Sequence, residues 1–347
     1  MSVLNALEPA THRRFRGAME RAFTERALGS QQGLMGGYVD SLMSRLGDLV
    51  ERNADAGESV VVDIVRWYGF FTFDLIGDLG FGESFRCLES EEYHPWVAMI
   101  FSSLRAATYR AALGYYPGLS WLLAYFVPKS VELQATASAI IVAGSETTIS
   151  VLSGITNYLV NNPEKLAILT SEIREKFEDE ENISIATLRE TSYLNAVIQE
   201  GFRLCNPTPV GLPRVVPPDG DRVCGYNLPP NIFVNVHPLS ISLSAEYFHK
   251  PSEFHPERWL AANDSSSPFH NDNRNAVQVF GIGPRSCIGR PLAIAELKLV
   301  LARIVWRFDL EKVDSEAGNL KWAEQRVFTV VERKPFEVRL RTRSALL

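Results

Sequence analysis

The chain has 347 residues, of which 46% are hydrophobic and 22% are charged, a globular balance that argues against disorder. The formal net charge of −6 argues against a nucleic-acid partner, because proteins that bind phosphates are normally basic. The four cysteines form no CxxC pair and are too few for a disulfide scaffold, so structural zinc is disfavoured and a reducing compartment is expected.

The first two thirds of the chain carry helical periodicity. Amphipathic or continuously apolar patterns predict six helices, over 12–28, 36–54, 63–82, 131–162, 163–180 and 187–207. The third is expected to end near Gly80, while Pro163 halts the fourth and occupies the first turn of the fifth. Pro207 ends the sixth helix.

The last third changes character. Prolines, glycines and β-branched residues in short runs over 210–236 predict small strands and turns, and the alternation over 326–343 predicts a terminal hairpin. The predicted fold class is therefore mainly α with a minor β region, and no linker divides the chain.

The most apolar stretch of the chain runs from Ala111 to Val127. It lacks charges, but it contains Gly114, Pro117 and Gly118 and is shorter than the roughly 20 residues that a membrane span needs. We interpret it as a buried or membrane-touching surface segment in preference to a true span.

Cys287 stands in a loop, FGIGPRSCIG, that leads directly into a helical pattern. A lone cysteine is most often a small buried hydrophobe. Here Gly281 and Gly283 expose backbone to a flat partner, and the start of the next helix favours a thiolate. Cysteine-protease chemistry would need a paired histidine, for which the six histidines give no local signature. A thiolate ligand to haem iron fits better.

This loop resembles the haem-binding signature of the cytochromes P450. The positions that match the signature are Phe280, Gly283, Arg285, Cys287 and Gly289. The resemblance implies a monooxygenase whose cofactor is haem b, with Cys287 as the ligand of the iron. It also implies two partners, an NADPH-dependent cytochrome P450 reductase and a small hydrophobic organic substrate.

A second motif, AGSETT, covers residues 143–148 of the long fourth helix. From the residues alone, Thr147 either bonds back to a carbonyl one turn earlier or serves a reaction. The resemblance favours the second alternative, because this segment is similar to the family's oxygen-activating helix. It implies that Ala143 and Gly144 border the haem, that Thr147 holds bound oxygen and that Glu146 helps to deliver protons.

A third motif, EGFR, places Glu200 and Arg203 one helical turn apart, a spacing that by itself is common on solvated helices. The resemblance adds Arg258 of FHPERW and implies a buried charge network that braces the cysteine loop.

Four basic residues complete the implied haem site. The resemblance implies that the two haem propionates are bound by His12, Arg16, Arg214 and Arg285. We expect Arg13 and Arg14 to be solvated surface charges.

The chain also departs from the family pattern. It begins well inside that pattern, and two helices expected between Lys129 and the fourth helix are missing, so residues 1–347 are predicted to form a single truncated P450 domain. The family implies the endoplasmic reticulum membrane. The chain is expected to lack the family's membrane anchor, so we expect attachment through surface segments only, or a cytoplasmic location.

Three hypotheses follow for function. The first is a haem-thiolate monooxygenase, and similarities in GLPRVVPPDG and AGSETT point to fungal secondary-metabolite biosynthesis. The second is a truncated, non-catalytic remnant that binds haem weakly or not at all. The third is a helical scaffold in which Cys287 merely packs.

Overall fold

Helices dominate the fold. The computed structural model describes residues 6, 8–53, 59–97, 132–261 and 264–343, and the apolar stretch Ala111–Val127 lies outside them. The α-helices within these ranges are α1 (Pro9–Glu20), α2 (Glu25–Arg52), α3 (Ile64–Phe81), α4 (Cys87–Ser90), α5 (Glu132–Asn161), α6 (Pro163–Lys176), α7 (Ser192–Leu204), α8 (Pro238–Ser242) and α9 (Arg290–Arg307).

The strands are short and antiparallel. They are β1 (Ser59–Asp63), β2 (Arg214–Val215), β3 (Asp221–Val223), β4 (Tyr226–Leu228), β5 (Phe233–Val234), β6 (Phe308–Lys312), β7 (Val327–Phe328), β8 (Val330–Val331) and β9 (Glu337–Thr342). One sheet has the strand order β1-β9-β6, and the pairs β2–β5, β3–β4 and β7–β8 form two-stranded sheets. The predicted class, mainly α with a minor β region, is confirmed.

The first two helices differ most from the predictions, and the fifth and sixth are shorter than predicted, at Pro163–Lys176 and Ser192–Leu204. The first helix ends at Glu20, and a helical turn leads to Thr24, whose hydroxyl accepts a hydrogen bond from the N–H of Ala27 and caps α2. Helix α2 thus begins eleven residues before 36 and runs through Gly29 and Gly33, where a side chain would meet nothing within 4 Å. These glycines lower helix propensity without ending the helix.

The prediction of a terminal hairpin over 326–343 is wrong, because the strands of this segment pair differently. Residues 327–331 form only the small β7–β8 hairpin, while β9 inserts between β1 and β6. The register places Val62 opposite Val338 and Leu310 opposite Leu340, and all four side chains are buried. Burial of these alternating residues against the helices accounts for the pairing.

Helix α5 packs against α3, α6, α7 and α9. Its contact with α7 requires glycine, because a Cβ on Gly201 would lie 2.3 Å from Cγ1 of Ile155. The segment Ala139–Asn161 is long and apolar enough to cross a membrane, but 67% of its most apolar window is buried inside the protein. A core helix has the same composition, so this observation is weak evidence for a span.

Candidate active site

The Cys287 loop is held by its own backbone. The Cys287 N–H donates to the Phe280 carbonyl at 2.7 Å, and Gly283–Arg285 forms a 3₁₀ turn between them. Gly281 and Gly283 have φ values of +68° and +78°, which glycine adopts without strain. A Cβ on Gly283 would meet nothing within 4 Å, so this side of the loop is open to a partner.

The Cys287 sulfur lies at the start of α9, where Gly289 is the N-cap residue. Cys287 is an exposed residue, yet desolvation is the largest influence on its thiol and raises its pKa. The N–H of Gly289, the Arg16 guanidinium and the N–H of Arg290 oppose that rise. The expected stabilisation of a thiolate by the helix start is therefore present, but burial outweighs it in the protein alone.

The four predicted propionate ligands lie close together. His12 is buried, and its pKa is lowered first by burial and then by the charges of Arg285, Arg16 and Arg214. Burial and Arg214 also lower the pKa of Arg285. Arg16 joins this cluster to the cysteine loop, because its Nη1 donates to the Ser286 carbonyl at 2.7 Å. The charges acting on His12 are all positive, so a dianion would relieve their repulsion.

The AGSETT segment is helical throughout and lies in α5. The Thr147 hydroxyl donates to the Ala143 carbonyl at 2.7 Å, which is the local alternative left open by the sequence. Ala143 is exposed and Thr147 half-buried, one turn apart, whereas Ser145, Glu146 and Thr148 are buried. Ala143 and Thr147 therefore form one accessible stripe on this helix.

Gly144 has a packing role. A Cβ at this position would lie 2.7 Å from Cδ1 of Ile76, so the glycine allows α3 to approach α5. The resemblance implied that Gly144 borders the haem, whereas the structure shows that the space next to its Cα is occupied by Ile76.

Glu146 is paired with a residue that the sequence did not indicate. Its Oε2 lies 2.8 Å from Nη2 of Arg333, and both side chains are buried. The hydrogen bonds of Glu146 and Thr147 are made within α5 and with Arg333. No local pattern identifies this partner, which lies 187 residues away along the chain.

The predicted brace is present. Arg203 Nη2 lies 2.7 Å from Oε1 of Glu200, Arg258 Nε lies 3.1 Å from the same oxygen, and all three side chains are fully buried. Asp272, which the sequence did not indicate, pairs with Arg258, and Trp259 Nε1 donates to Glu200 at 2.9 Å. Each charge thus has at least one opposite partner, as a buried network requires.

The brace reaches the cysteine loop through an aromatic contact. Phe202, between the two charged residues of α7, meets Phe280 edge to face with ring centroids 5.1 Å apart. The Arg290 guanidinium lies 5.6 Å from the centroid of the Phe280 ring. Helices α7 and α9 therefore fix Phe280, the residue whose carbonyl holds the Cys287 N–H.

These residues fit haem by their chemistry. A single thiol is presented from an open glycine loop, N–H groups are directed at its sulfur, and a cluster of cations lies beside it. Together they offer a soft ligand for iron and partners for two carboxylates.

Comparisons with known proteins agree with this fit. The family model described as Cytochrome P450 matches residues 128–338. A trichothecene C-4 hydroxylase of Trichoderma arundinaceum is 37% identical, with 96% of this chain and 75% of the relative covered. An averantin hydroxylase of Dothistroma septosporum is 34% identical (98% and 71% covered), as is a cytochrome P450 monooxygenase of Purpureocillium lilacinum (98% and 72%).

The chain therefore belongs to the cytochrome P450 family. This membership gives its enzyme class, which is P450 monooxygenase. The chain is similar to fungal hydroxylases.

Proposed function

We propose that this chain is a haem-thiolate monooxygenase that inserts one oxygen atom from O₂ into a small organic substrate in fungal secondary-metabolite biosynthesis. The observation that carries the proposal is the Cys287 loop, joined through Arg16 to the cationic cluster around His12. In this proposal Cys287 would be the iron ligand of haem b, and His12, Arg16, Arg214 and Arg285 would bind the propionates. Phe280, Gly283 and Gly289 shape the loop against the porphyrin.

When bound, haem supplies the activation of O₂ with two electrons from an NADPH-dependent reductase. The protein supplies the ligand of the iron and the groups that stabilise its charge. The raised pKa of Cys287 means that the thiol keeps its proton in the protein alone and would release it to water when the sulfur binds iron, and the N–H groups of Gly289 and Arg290 would then stabilise the sulfur charge.

The α5 residues have proposed roles in oxygen and proton handling. Ala143 and Thr147 form the accessible stripe that would face the haem, and the Thr147 hydroxyl, fixed on the Ala143 carbonyl, can still accept a hydrogen bond on its oxygen lone pairs. Glu146 is the nearest carboxyl group in sequence and is proposed to hold protons for this site.

Exposed apolar side chains beside Arg214 support the proposal that the substrate is hydrophobic. Leu212, two residues before Arg214, is 53% exposed, and Phe233, which pairs with Val215 across β2 and β5, is 57% exposed. We propose that these side chains contact a small hydrophobic molecule. A location at the endoplasmic reticulum membrane, which the family implies, belongs to the same proposal.

A second candidate is a non-catalytic remnant that binds haem weakly or not at all. The alignment with the trichothecene hydroxylase runs over 385 positions, more than the 347 residues of this chain, so the relative has internal residues without a counterpart here. The missing residues are the observation that favours this candidate.

Product formation separates the two candidates. We would reconstitute the haem-loaded chain with the reductase under ¹⁸O₂ and use averantin and a trichothecene as first probes, because relatives are named for them. The proposal predicts a hydroxylated product that carries one ¹⁸O atom and is lost in Cys287→Ala. Thr147→Ala is expected to divert electrons to peroxide, and Thr147→Ser to restore product. If the haem-loaded protein oxidises no compound in a broad panel, the result supports the second candidate, a non-catalytic remnant.

A further inference from the structure

The Arg333 side chain makes three polar contacts with one turn of α5. Its Nη2 lies 2.8 Å from Oε2 of Glu146, and its Nη1 donates at 3.1 Å to both the Glu146 carbonyl and the Ser150 hydroxyl oxygen. The Ser150 hydroxyl in turn donates to the same carbonyl at 2.8 Å. The side chains of Arg333 and Glu146 are 6% and 3% exposed, so this contact is shielded from solvent screening.

The second carboxylate oxygen of Glu146 is directed elsewhere. Within the described part of the chain, Oε1 is buried and no protein group hydrogen-bonds it. Glu146 lines a cavity of about 340 Å³, together with Asp63, Arg66, Tyr93 and Glu332. Apolar side chains such as Val65 and Phe328 also line it, and a cavity of this size has room for several water molecules beside its polar groups.

We propose that Arg333 is the positioning residue of Glu146, and that protons used at the haem enter α5 through this cavity. The functional half of the proposal rests on the proposed monooxygenase reaction, whereas the positioning half rests on contacts within the protein. Arg333 holds one carboxylate oxygen, the other is buried without a protein partner in the described chain, and Thr147 is the next residue along the helix. Water on Oε1 would exchange its protons with solvent through the cavity.

The three contacts call for arginine specifically. A guanidinium is planar and offers five N–H groups, so it can hold a carboxylate, a carbonyl and a hydroxyl together. A lysine at 333 keeps the charge but presents a single ammonium group, so we expect it to hold the carboxylate and release the Ser150 side of the turn. Arg333→Lys should therefore lie between the parent and Arg333→Ala.

Hydrogen exchange tests the positioning without haem or substrate. We would measure amide exchange of the 143–150 segment in the parent, Arg333→Ala and Arg333→Lys. The control is Arg341→Ala, since Arg341 is half exposed and pairs with Glu311 at the surface. Loss of the three Arg333 contacts should speed amide exchange about tenfold in Arg333→Ala and by a smaller factor in Arg333→Lys. A tenfold increase corresponds to a decrease of about 1.4 kcal/mol in the free energy of local opening.

Chemical rescue tests the same contact through the cavity. Methylguanidinium at millimolar concentration should restore slow exchange in Arg333→Ala, and sodium chloride at equal ionic strength should not. Exchange in Arg333→Ala that equals the Arg341→Ala control overturns the proposal. If Arg333→Ala does not fold, Arg333→Lys decides, because exchange equal to that of the parent would overturn it.

Peroxide release tests the proton route. Reduction of O₂ by two electrons and two protons gives H₂O₂, and by four electrons and four protons gives two waters. With haem and reductase present, we expect the H₂O₂ released per NADPH to rise about twofold in Arg333→Ala and to fall again with methylguanidinium.

If methylguanidinium restores slow exchange but leaves peroxide release high, Arg333 supports the helix and the proton route is overturned. If the parent binds no haem, the proposed function fails, while the exchange measurements still decide the positioning role.

Discussion

Glu296 is expected to make the stability of this protein depend on pH. The side chain lies in α9 and is 3% exposed, and burial raises its pKa to about 8, opposed only by a hydrogen bond with Thr148 of α5. Its Oε2 has no hydrogen-bond partner within the described chain. The unfolded chain ionises this group near pH 4.5, whereas the folded protein keeps it neutral until about pH 8. Its contribution is therefore complete below pH 4.5 and lost as the pH rises to about 8.

The magnitude follows from the size of the shift. Each pKa unit corresponds to about 1.4 kcal/mol, so the free energy of unfolding should fall by about 3 kcal/mol between pH 5 and pH 8 through this group. Glu296→Gln keeps the shape without the charge. The stability difference between Glu296→Gln and the parent should therefore grow in favour of the variant over that interval.

Urea unfolding at four pH values between 5 and 8 measures this difference. Glu324→Gln is the matched control, because Glu324 is 70% exposed and should shift the curve by less than about 0.5 kcal/mol at any pH. Parallel pH profiles for the parent and Glu296→Gln would refute the reasoning, since they would mean that Glu296 ionises equally in the folded and unfolded chains.

Three further predictions concern the frame of the site. Arg258→Met should lower the free energy of unfolding by about 3–5 kcal/mol, because it leaves buried carboxylates short of a cation; an unchanged urea midpoint would contradict the brace. Gly201→Ala should cost about 1–3 kcal/mol because its Cβ would overlap Ile155, whereas Gly33→Ala, in open space, should gain up to about 1 kcal/mol. Arg214→Gln should weaken haem retention about tenfold, measured as the rate of haem transfer to an acceptor protein, and unchanged retention would remove Arg214 from the proposed site.

Local features of the site could be predicted from the sequence. The Cys287 loop depends on glycines and a helix start within ten residues, and the end of α5 depends on Pro163, so neighbouring residues specify both. The class of fold followed from periodicity, because helices of this length repeat the signal many times.

Features that depend on distant residues could not be predicted. Asp63 and Phe336, which join β1 to β9, lie 273 residues apart, and alternation within 326–343 says nothing about which strand is the partner. The pairing of Glu146 with Arg333 and the contact of Gly144 with Ile76 are likewise set by how the helices pack. Such contacts arise from tertiary packing, and the local patterns of a single sequence carry no information about it.

The CO-bound spectrum of the reduced protein tests the central claim, that Cys287 holds haem as a thiolate, most directly. We predict that the purified chain shows the thiolate–haem band, that Cys287→Ala loses it and that Cys224→Ala, which removes the other exposed thiol, retains it in full. Soluble, folded chain that takes up no haem, or a band that persists in Cys287→Ala, would contradict the assignment.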